Sequence, residues 1–253
     1  MNTTIVPILP FLMSGDPSLE ALPDHLAEVA SLGIGTVELG VPHSDPIADG
    51  PVLQAAAHRA IGRGTTLVKI FDKINTIKNI PDVVLFSYFN PLLRMGAEGL
   101  LQHLRESPVK ALLVVDLPDS EEPDFEAALR EGGYPLVPLL APTTTGSRVR
   151  RLLEARPDPG PGACFARRFA YVVARLGVTG TGGETPLAPV ARRVAALQGI
   201  TGRPLAVGFG LSDPGALEAV RAMGATPVVG SALVQALHEG QGLGTFLRPR
   251  IGQ

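Results

Sequence analysis

The stretch that decides the fold reads Thr36-Val37-Glu38-Leu39-Gly40-Val41-Pro42-His43-Ser44-Asp45-Pro46-Ile47-Ala48-Asp49-Gly50-Pro51. Its first five residues are largely apolar, which is typical of a parallel strand covered on both faces. The polar loop that follows ends in Gly50-Pro51, and a proline at this point is typical of the first turn of a helix. The stretch is therefore predicted to be a strand, a loop and the start of a helix.

Strands of this kind recur from one end of the chain to the other, separated by Ala-rich stretches of helical period. The eight predicted strands are Ile5–Phe11, Thr36–Gly40, Val83–Tyr88, Ala111–Asp116, Pro135–Leu140, Phe169–Ala174, Leu205–Gly208 and Pro227–Gly230. Eight strands in 253 residues give about 32 residues for each βα unit. We predict an α/β fold, a (β/α)8 TIM barrel forming a single domain over residues 1–253. A doubly wound parallel sheet is the structural alternative.

Two helix starts carry the same local signal. Asp16-Pro17 and Asp213-Pro214 each combine a capping aspartate with a first-turn proline. Apolar residues at helical spacing follow both, although Pro23 inside the first helix is able to move its start or bend it. Asp49 has a similar alternative role, since it could cap the helix that Pro51 begins. The segment Pro157–Gly162 is predicted to be a surface loop at the bottom rim, between the fifth helix and the sixth strand.

Composition excludes several classes of protein. Hydrophobic residues make up 45% of the chain and charged residues 18%, and the net charge is −2 without a long basic run. These values argue against disorder and against nucleic acid as the main partner. We expect a soluble, cytoplasmic protein, because there is no basic signal-like start and no apolar run long enough to span a bilayer. The single cysteine, Cys164, is expected to be buried and inert, and no metal site is expected.

The polar residues at strand ends are the candidates for chemistry, because barrel enzymes build their sites there. Glu38 lies inside an apolar strand, where a carboxylate is costly unless it is paired or functional. A glutamate in an internal ion pair, or one facing a polar rim, is as good an interpretation as a catalytic role. His43 and Asp45 are loop residues that composition alone does not separate from a solvated turn.

Glycines mark the ends of the later strands. Gly208-Phe209-Gly210 follows the seventh strand, and Gly230-Ser231 follows the eighth and begins a helix. Barrels often bind phosphate at this place through backbone N–H groups and a helix N-terminus. We favour a phosphate site here over plain turns. The loop Gly177–Gly183 is glycine-rich, and composition does not distinguish a mobile lid from a floppy loop.

Several separate stretches together resemble the tryptophan synthase α subunit family. The most specific is Glu38–Pro51, and the others agree in order and spacing over roughly residues 5 to 235. They are Gly15-Asp16-Pro17, Asp116-Leu117-Pro118, Ala141-Pro142-Thr143, Gly177-Val178-Thr179-Gly180, Gly208-Phe209-Gly210 and Gly230-Ser231. The resemblance implies a lyase of tryptophan biosynthesis that cleaves indole-3-glycerol phosphate to indole and glyceraldehyde 3-phosphate.

The resemblance also implies residue roles. Glu38 matches the family's catalytic acid/base, and Asp49 matches the aspartate that holds the indole N–H. The substrate-binding positions implied are Phe11, Tyr88, Tyr171, Thr179, Gly180, Gly208, Phe209, Gly210, Gly230 and Ser231. Residues 176–184 match a mobile loop whose Thr179 contacts Asp49 on closure. Asp45 matches a position that faces the partner.

The implied partner is the β subunit, in an αββα heterotetramer. Pyridoxal phosphate would be held by that subunit, and this chain would need no cofactor. The family usually has a short helix before the first strand that covers the barrel floor, whereas only about four residues precede it here. Ala174 and Leu176 replace smaller or more polar residues beside the loop, so its closure rate is expected to differ. The tail after Gly244 is short, so a truncated last helix is expected.

Three other functions are compatible with parts of the pattern. Another phosphate-binding barrel enzyme would share the glycines but would not require the stretch from Glu38 to Pro51. A silent regulatory subunit would be expected to lack Glu38 or Asp49, and both are present. A lyase that works without a partner is not separable from a complexed subunit by sequence, although the loop near Asp45 favours a complex.

Overall fold

A computed structural model describes residues 6–118, 121–174, 187–208, 210 and 213–251. Its eight strands are all parallel and are ordered β4-β3-β2-β1-β8-β7-β6-β5. They are β1 Leu9–Met13, β2 Thr36–Gly40, β3 Asp82–Ser87, β4 Val109–Val114, β5 Leu139–Leu140, β6 Ala170–Val173, β7 Leu205–Gly208 and β8 Thr226–Val229. A parallel bridge between Leu112 and Leu136 joins β4 to the chain before β5 and nearly closes the ring. The predicted (β/α)8 barrel is confirmed.

Helices alternate with the strands and cover the outside of the barrel. Their bounds are α1 Leu22–Ser31, α2 Pro51–Gly62, α3 Leu67–Ile74, α4 Phe89–Met95, α5 Ala97–Arg105, α6 Pro123–Glu131, α7 Gly146–Ala155, α8 Phe165–Arg168, α9 Leu187–Gln198, α10 Pro214–Ala222, α11 Ser231–His238 and α12 Leu243–Leu247, with a 3-10 turn at Arg248–Arg250. Among the described residues, no helix combines the length and the apolar character needed to cross a bilayer.

Six of the eight predicted strands have different bounds in the structure, and in two of them the start differs by four residues. The first was predicted at Ile5–Phe11, but β1 runs from Leu9 to Met13, because Met13 still pairs with Gly40 of β2. The fifth was predicted at Pro135–Leu140, but β5 contains only Leu139 and Leu140. Prolines at 135 and 138 lack the N–H that a central strand donates to its neighbour, which shortens the strand.

One of the two predicted helix starts is wrong and the other is confirmed. The helix α1 begins at Leu22, with Pro23 in its first turn, and Asp16 does not cap it. The Asp16 carboxylate is instead buried and accepts two bonds from Arg59, at 2.9 and 2.7 Å. Asp213 does cap α10, since its side chain accepts the Ala216 N–H at 2.9 Å.

The core has two parts, one between the strands and the surrounding helices and one inside the barrel. The interior cluster includes Leu9, Phe11, Met13, Val84, Phe86, Leu113, Phe165, Phe169, Tyr171, Ala206 and Val228. Side chains alternate between the two faces of a strand, so every second residue of each strand contributes to this interior. Any polar side chain that points into the barrel is therefore surrounded by these apolar side chains.

The segment Pro157–Gly162 is a loop, as predicted, and it is fastened in place. Its Asp158 accepts from the Gly160 N–H at 2.9 Å and from the Arg168 guanidinium at 3.1 and 3.2 Å. The short helix α8 that follows contacts β3 and β4, and its Phe165 joins the interior cluster. Because α8 immediately precedes β6, these contacts cover the bottom of the barrel.

Cys164 lies at the start of α8 and is half-buried, whereas the sequence predicted a buried thiol. Burial is the largest cause that raises the pKa of this thiol, and the charge of Asp82 adds to it. A raised thiol pKa lowers the fraction of reactive thiolate at neutral pH. The direction of this shift favours the inert thiol that the sequence predicts.

The last helix, α12, has five residues and leads into the 3-10 turn. This short element is nevertheless attached at both ends. The Gly244 N–H donates to Glu28 of α1 at 2.9 Å, and Arg221 of α10 donates to the Arg250 carbonyl at 3.0 Å. The short tail packs Phe246 and Leu247 into the core.

Candidate active site

Glu38 is the third residue of β2 and points into the barrel. Its neighbours in register are Phe11 of β1 and Val84 of β3, and both belong to the interior cluster. The residue is 1% exposed, and its Oε1 atom has no hydrogen-bond partner. Within the described ranges no cation forms an ion pair with it, which favours the catalytic interpretation. Burial raises the pKa of Glu38 to about 8, so the side chain is a neutral acid at pH 7.

Asp49 lies in the loop after β2 and is 4% exposed. It does not cap α2, because Gly50 is the N-cap residue and no side chain accepts a bond there. Its Oδ2 atom instead accepts from the Tyr88 hydroxyl at 3.3 Å. Burial raises the pKa of Asp49 to about 6, and the bond from Tyr88 opposes that rise. At pH 7 this carboxyl is therefore largely ionised.

Tyr171 brings the two carboxyls together. It lies on β6, between Leu139 and Ala206 in register, and its side chain belongs to the interior cluster. Burial raises the pKa of the Tyr171 phenol well above its ordinary value, and the charges of Glu38 and Asp49 raise it further. Both carboxyls therefore act on one phenol across the barrel interior. At pH 7 a neutral Glu38 and an ionised Asp49 therefore lie near the same phenol.

Two glycines make room for the aromatic side chains at this level of the barrel. A Cβ atom on Gly208 would lie 1.8 Å from the Tyr171 hydroxyl oxygen. A Cβ on Gly40 would lie 2.4 Å from the Phe11 ring, which packs edge-on against Phe86 with centroids 5.2 Å apart. Both positions require glycine because any side chain would displace a buried ring. The Phe11 and Phe86 rings supply an apolar wall near Glu38.

Only some of the residues predicted to bind the phosphate lie within the described ranges. Helix α11 begins at Ser231, and Gly230 at its N-cap provides no side chain to satisfy the first N–H groups. Those groups and the positive end of the helix are suited to an anion. Gly210 has a φ of +85°, a conformation that favours glycine. Phe209, Thr179 and Gly180 lie outside the described residues, as does the predicted mobile loop at 176–184.

The loop between Glu38 and Asp49 contains features that sequence reasoning missed. The His43 ring stacks on the Tyr88 ring with centroids 4.8 Å apart and an interplanar angle of 23°. Beyond it, Asp45 is exposed and accepts from the Ser44 hydroxyl at 3.1 Å, and Ile47 is 78% exposed. The isoleucine in this polar loop is the sequence signal that marks the exposed position.

A cavity of about 500 Å³ lies on the outer side of this loop, between it and α3, α4 and α5. Its lining includes His43, Ser44, Asn90, Arg94 and His103. It is therefore next to the proposed site and shares His43 with it. In the described part of the chain, no three His, Cys, Asp or Glu side chains are grouped so as to hold a metal ion.

Comparisons with known proteins point to one family. Residues 3–245 match the family model of the tryptophan synthase alpha chain. The tryptophan synthase alpha chain of Synechocystis sp. is 38% identical, covering 95% of this chain and 90% of the relative, and that of Gloeobacter violaceus is 39% identical, covering 92% and 81%. A solved chain from the tryptophan synthase α2β2 complex of the hyperthermophile Pyrococcus furiosus is 30% identical with a TM-score of 0.82, covering 96% of this chain and 95% of that one.

Proposed function

The chain belongs to the tryptophan synthase alpha chain family, and on this premise we propose how its own residues perform the family's lyase reaction. The substrate is indole-3-glycerol phosphate, and the products are indole and glyceraldehyde 3-phosphate. Glu38 is the general acid and base, and Asp49 stabilises the charge on the indole ring. The observation that carries this assignment is that Glu38 is buried in the barrel interior with an unpartnered Oε1, while the buried Asp49 accepts from Tyr88. Burial accordingly leaves the first carboxyl neutral and the second ionised at pH 7.

The reaction needs a proton on the ring carbon that is bonded to the glycerol phosphate chain. Glu38 is protonated at pH 7, and its Oε1 atom has no competing partner. It donates this proton, the ring takes up positive charge at its nitrogen, and the ionised Asp49 accepts the ring N–H. Preorganised charge of this kind commonly contributes several kcal/mol of barrier reduction.

Cleavage then releases the ring. The carbon–carbon bond breaks, its electron pair returns to the ring as neutral indole, and the chain hydroxyl loses its proton as the aldehyde forms. The Glu38 carboxylate left by the first step is the base that accepts this proton, so the residue returns to its starting state. Burial raises the pKa of Glu38 further than that of Asp49, and two carboxyls that differ in this way suit such a division of roles.

Binding at the two ends of the substrate positions the bond that breaks. Phe11 and Phe86 contact the ring, and the backbone around Gly210, Gly230 and Ser231 holds the phosphate. Energy from the non-reacting phosphate thereby orients the reacting carbon. The remaining predicted contacts, with Thr179, Gly180 and Phe209, are part of this proposal.

The proposal also covers the cofactor, the partner subunit and the cellular location. The chain requires no cofactor, because acid, base and charge stabilisation are all provided by its two carboxyls. Its partner is the β subunit in an αββα assembly, which would hold pyridoxal phosphate and receive the indole. The support for a partner is the α2β2 complex of the Pyrococcus furiosus relative together with the exposed Ile47 and Asp45. We place the reaction in the cytoplasm.

An indole-release assay on the purified chain tests the proposal. Glu38→Gln should bind substrate and lose indole formation by orders of magnitude, and Asp49→Asn should be severely impaired. Asp45→Asn is the matched control, because it makes the same chemical change in an exposed residue of the same loop. This variant should release indole at the wild-type rate alone and differ only in its response to an added β subunit. Near-normal turnover by Glu38→Gln would refute the assignment.

A further inference from the structure

The Tyr88 hydroxyl has two hydrogen bonds of defined direction. It accepts from the Ala48 N–H at 2.9 Å and lies 3.3 Å from Asp49 Oδ2. A backbone amide only donates, and a phenol has a single hydrogen. The Ala48 amide leaves the hydrogen of Tyr88 available, and at pH 7 the ionised carboxylate of Asp49 is able only to accept it.

The Tyr88 ring is held by the same loop that carries Asp49. His43, at the other end of this loop, stacks on the ring face, and Tyr88 is buried. The ring also stands at the end of β3, where Tyr88 is the N-cap residue of α4. Ring and hydroxyl are thus both fixed relative to Asp49. A side chain that only lined the substrate pocket would not need contacts on both its face and its hydroxyl.

We propose that Tyr88 is a positioning residue for Asp49: its hydroxyl fixes the orientation of that carboxyl and hydrogen-bonds its ionised form in preference to its neutral form. With Oδ2 engaged by Tyr88, Oδ1 is the oxygen that receives the indole N–H. This role rests on the proposed function and goes beyond contact with substrate. It explains how a carboxyl in an apolar pocket stays charged at the pH where the neighbouring acid stays neutral.

The hydrogen bond from Tyr88 affects the protonation of Asp49, because the carboxyl lies in a buried environment. Burial raises the pKa of Asp49, and Tyr88 supplies the bond that opposes the rise. The other titratable groups nearby are Glu38 from β2 and Tyr171 from β6, together with Asp116, which follows β4 and accepts the Phe89 N–H at 2.7 Å. The bond from Tyr88 is the cause that lowers the pKa of Asp49, and loss of the Tyr88 hydroxyl therefore removes this opposition to burial.

The test is the pH dependence of kcat/KM for indole release, from about pH 5 to pH 9, in the wild type and in Tyr88→Phe. The substitution keeps the ring and its stack on His43 and removes only the hydroxyl. We expect the acidic limb of the profile to move upward by about one pH unit, since one hydrogen bond to the charged form is lost. The loss of kcat/KM should then be about fivefold larger at pH 6 than at pH 8. A loss of equal size at every pH would overturn the proposal.

A second variant should shift the acidic limb of the pH profile in the opposite direction. Site-specific 3-fluorotyrosine at position 88 makes the phenol a stronger acid and a better donor, so the acidic limb should move downward. This measurement decides the question even where Tyr88→Phe fails to fold. An unchanged or upward-shifted limb would contradict the proposed bond.

His43→Phe is the matched control, because it keeps a ring on Tyr88 and removes the imidazole. The acidic limb should be the same as in the wild type. Movement of the limb in this variant would overturn the proposal, since His43 would then be the titrating group. A wild-type chain that releases no indole would overturn the proposed function itself. An active wild type with an unmoved limb in Tyr88→Phe would overturn only the role of Tyr88.

Discussion

Replacing Glu38 by glutamine is predicted to stabilise the folded chain at neutral pH. The structure buries this carboxyl at 1% exposure and leaves Oε1 without a partner, so its ionised form is disfavoured in the folded state. Glutamine has nearly the same shape and cannot ionise. The variant should therefore lose activity and gain stability, a combination expected where a functional group is placed against the preference of its surroundings.

The magnitude follows from the raised pKa. The ordinary value is 4.5, and in the folded chain it is about 8. Between these values the folded state holds a proton that the unfolded chain releases, so the stability contributed by Glu38 falls as pH rises, by roughly 1.4 kcal/mol per pH unit. The decrease amounts to about 3 kcal/mol at pH 7 and about 5 kcal/mol above pH 8. Below pH 4.5 the contribution is fully present.

Urea unfolding at several pH values measures this effect. The difference in unfolding free energy between Glu38→Gln and the wild type should be smallest near pH 5, grow towards pH 8 and level off above it. The other titrating groups, such as Asp49, are present in both proteins and largely cancel in the difference. A difference that does not change with pH would show that Glu38 ionises normally in the folded chain and would refute the reasoning.

Three further substitutions test separate parts of the structure. Gly208→Ala should displace the buried Tyr171 hydroxyl, lower kcat/KM at least tenfold and destabilise the fold by about 1–3 kcal/mol; unchanged kcat/KM would show that Tyr171 moves freely. Asp16→Asn should weaken the ion pair between the buried Asp16 and Arg59, which is 25% exposed, and cost about 2–4 kcal/mol in urea unfolding, with kcat retained in the folded fraction; a helix cap alone would cost about 1 kcal/mol. Phe165→Ala should cost about 3–5 kcal/mol while leaving kcat/KM near normal, because its cavity is at the barrel floor; a selective loss of activity would contradict this.

The barrel was predictable because continuous apolar runs identify buried parallel strands. Thr36–Gly40 and Leu205–Gly208 were predicted with the bounds that the structure has. The shortness of β5 was also present in the sequence, in the two prolines at 135 and 138, and their missing N–H groups should have limited the predicted strand. The shift of β1 was not predictable locally, since pairing with β2 sets its end.

The site was predictable in its chemistry and less so in its geometry. A carboxylate inside an apolar strand singled out Glu38, but only the barrel interior decides between a functional acid and an ion pair. Asp49 and Asp16 both look like helix caps, because the partners that give them other roles are distant in sequence. Tyr88 lies 39 positions from Asp49, and Arg59 lies 43 positions from Asp16. Local signals cannot identify such partners.

The covering of the barrel floor by α8 was not predicted from the sequence. The helix α8 and the loop before it cover the bottom of the barrel, and Asp158 with Arg168 fastens that loop. The sequence marked Pro157–Gly162 as a loop but contained no signal that the four residues after Cys164 would enter the interior. Their position depends on β3 and β4, which are distant in the chain.

The most direct test of the central claim is the pH profile of kcat/KM for cleavage of indole-3-glycerol phosphate by the wild-type chain. Ionised Asp49 and protonated Glu38 must coexist, so activity should fall below about pH 6 and again above about pH 8. The account predicts a narrow bell-shaped profile between these two limits. A rate that stays constant from pH 7 to pH 10 would contradict it, because Glu38 would then act without the proton that the mechanism assigns to it.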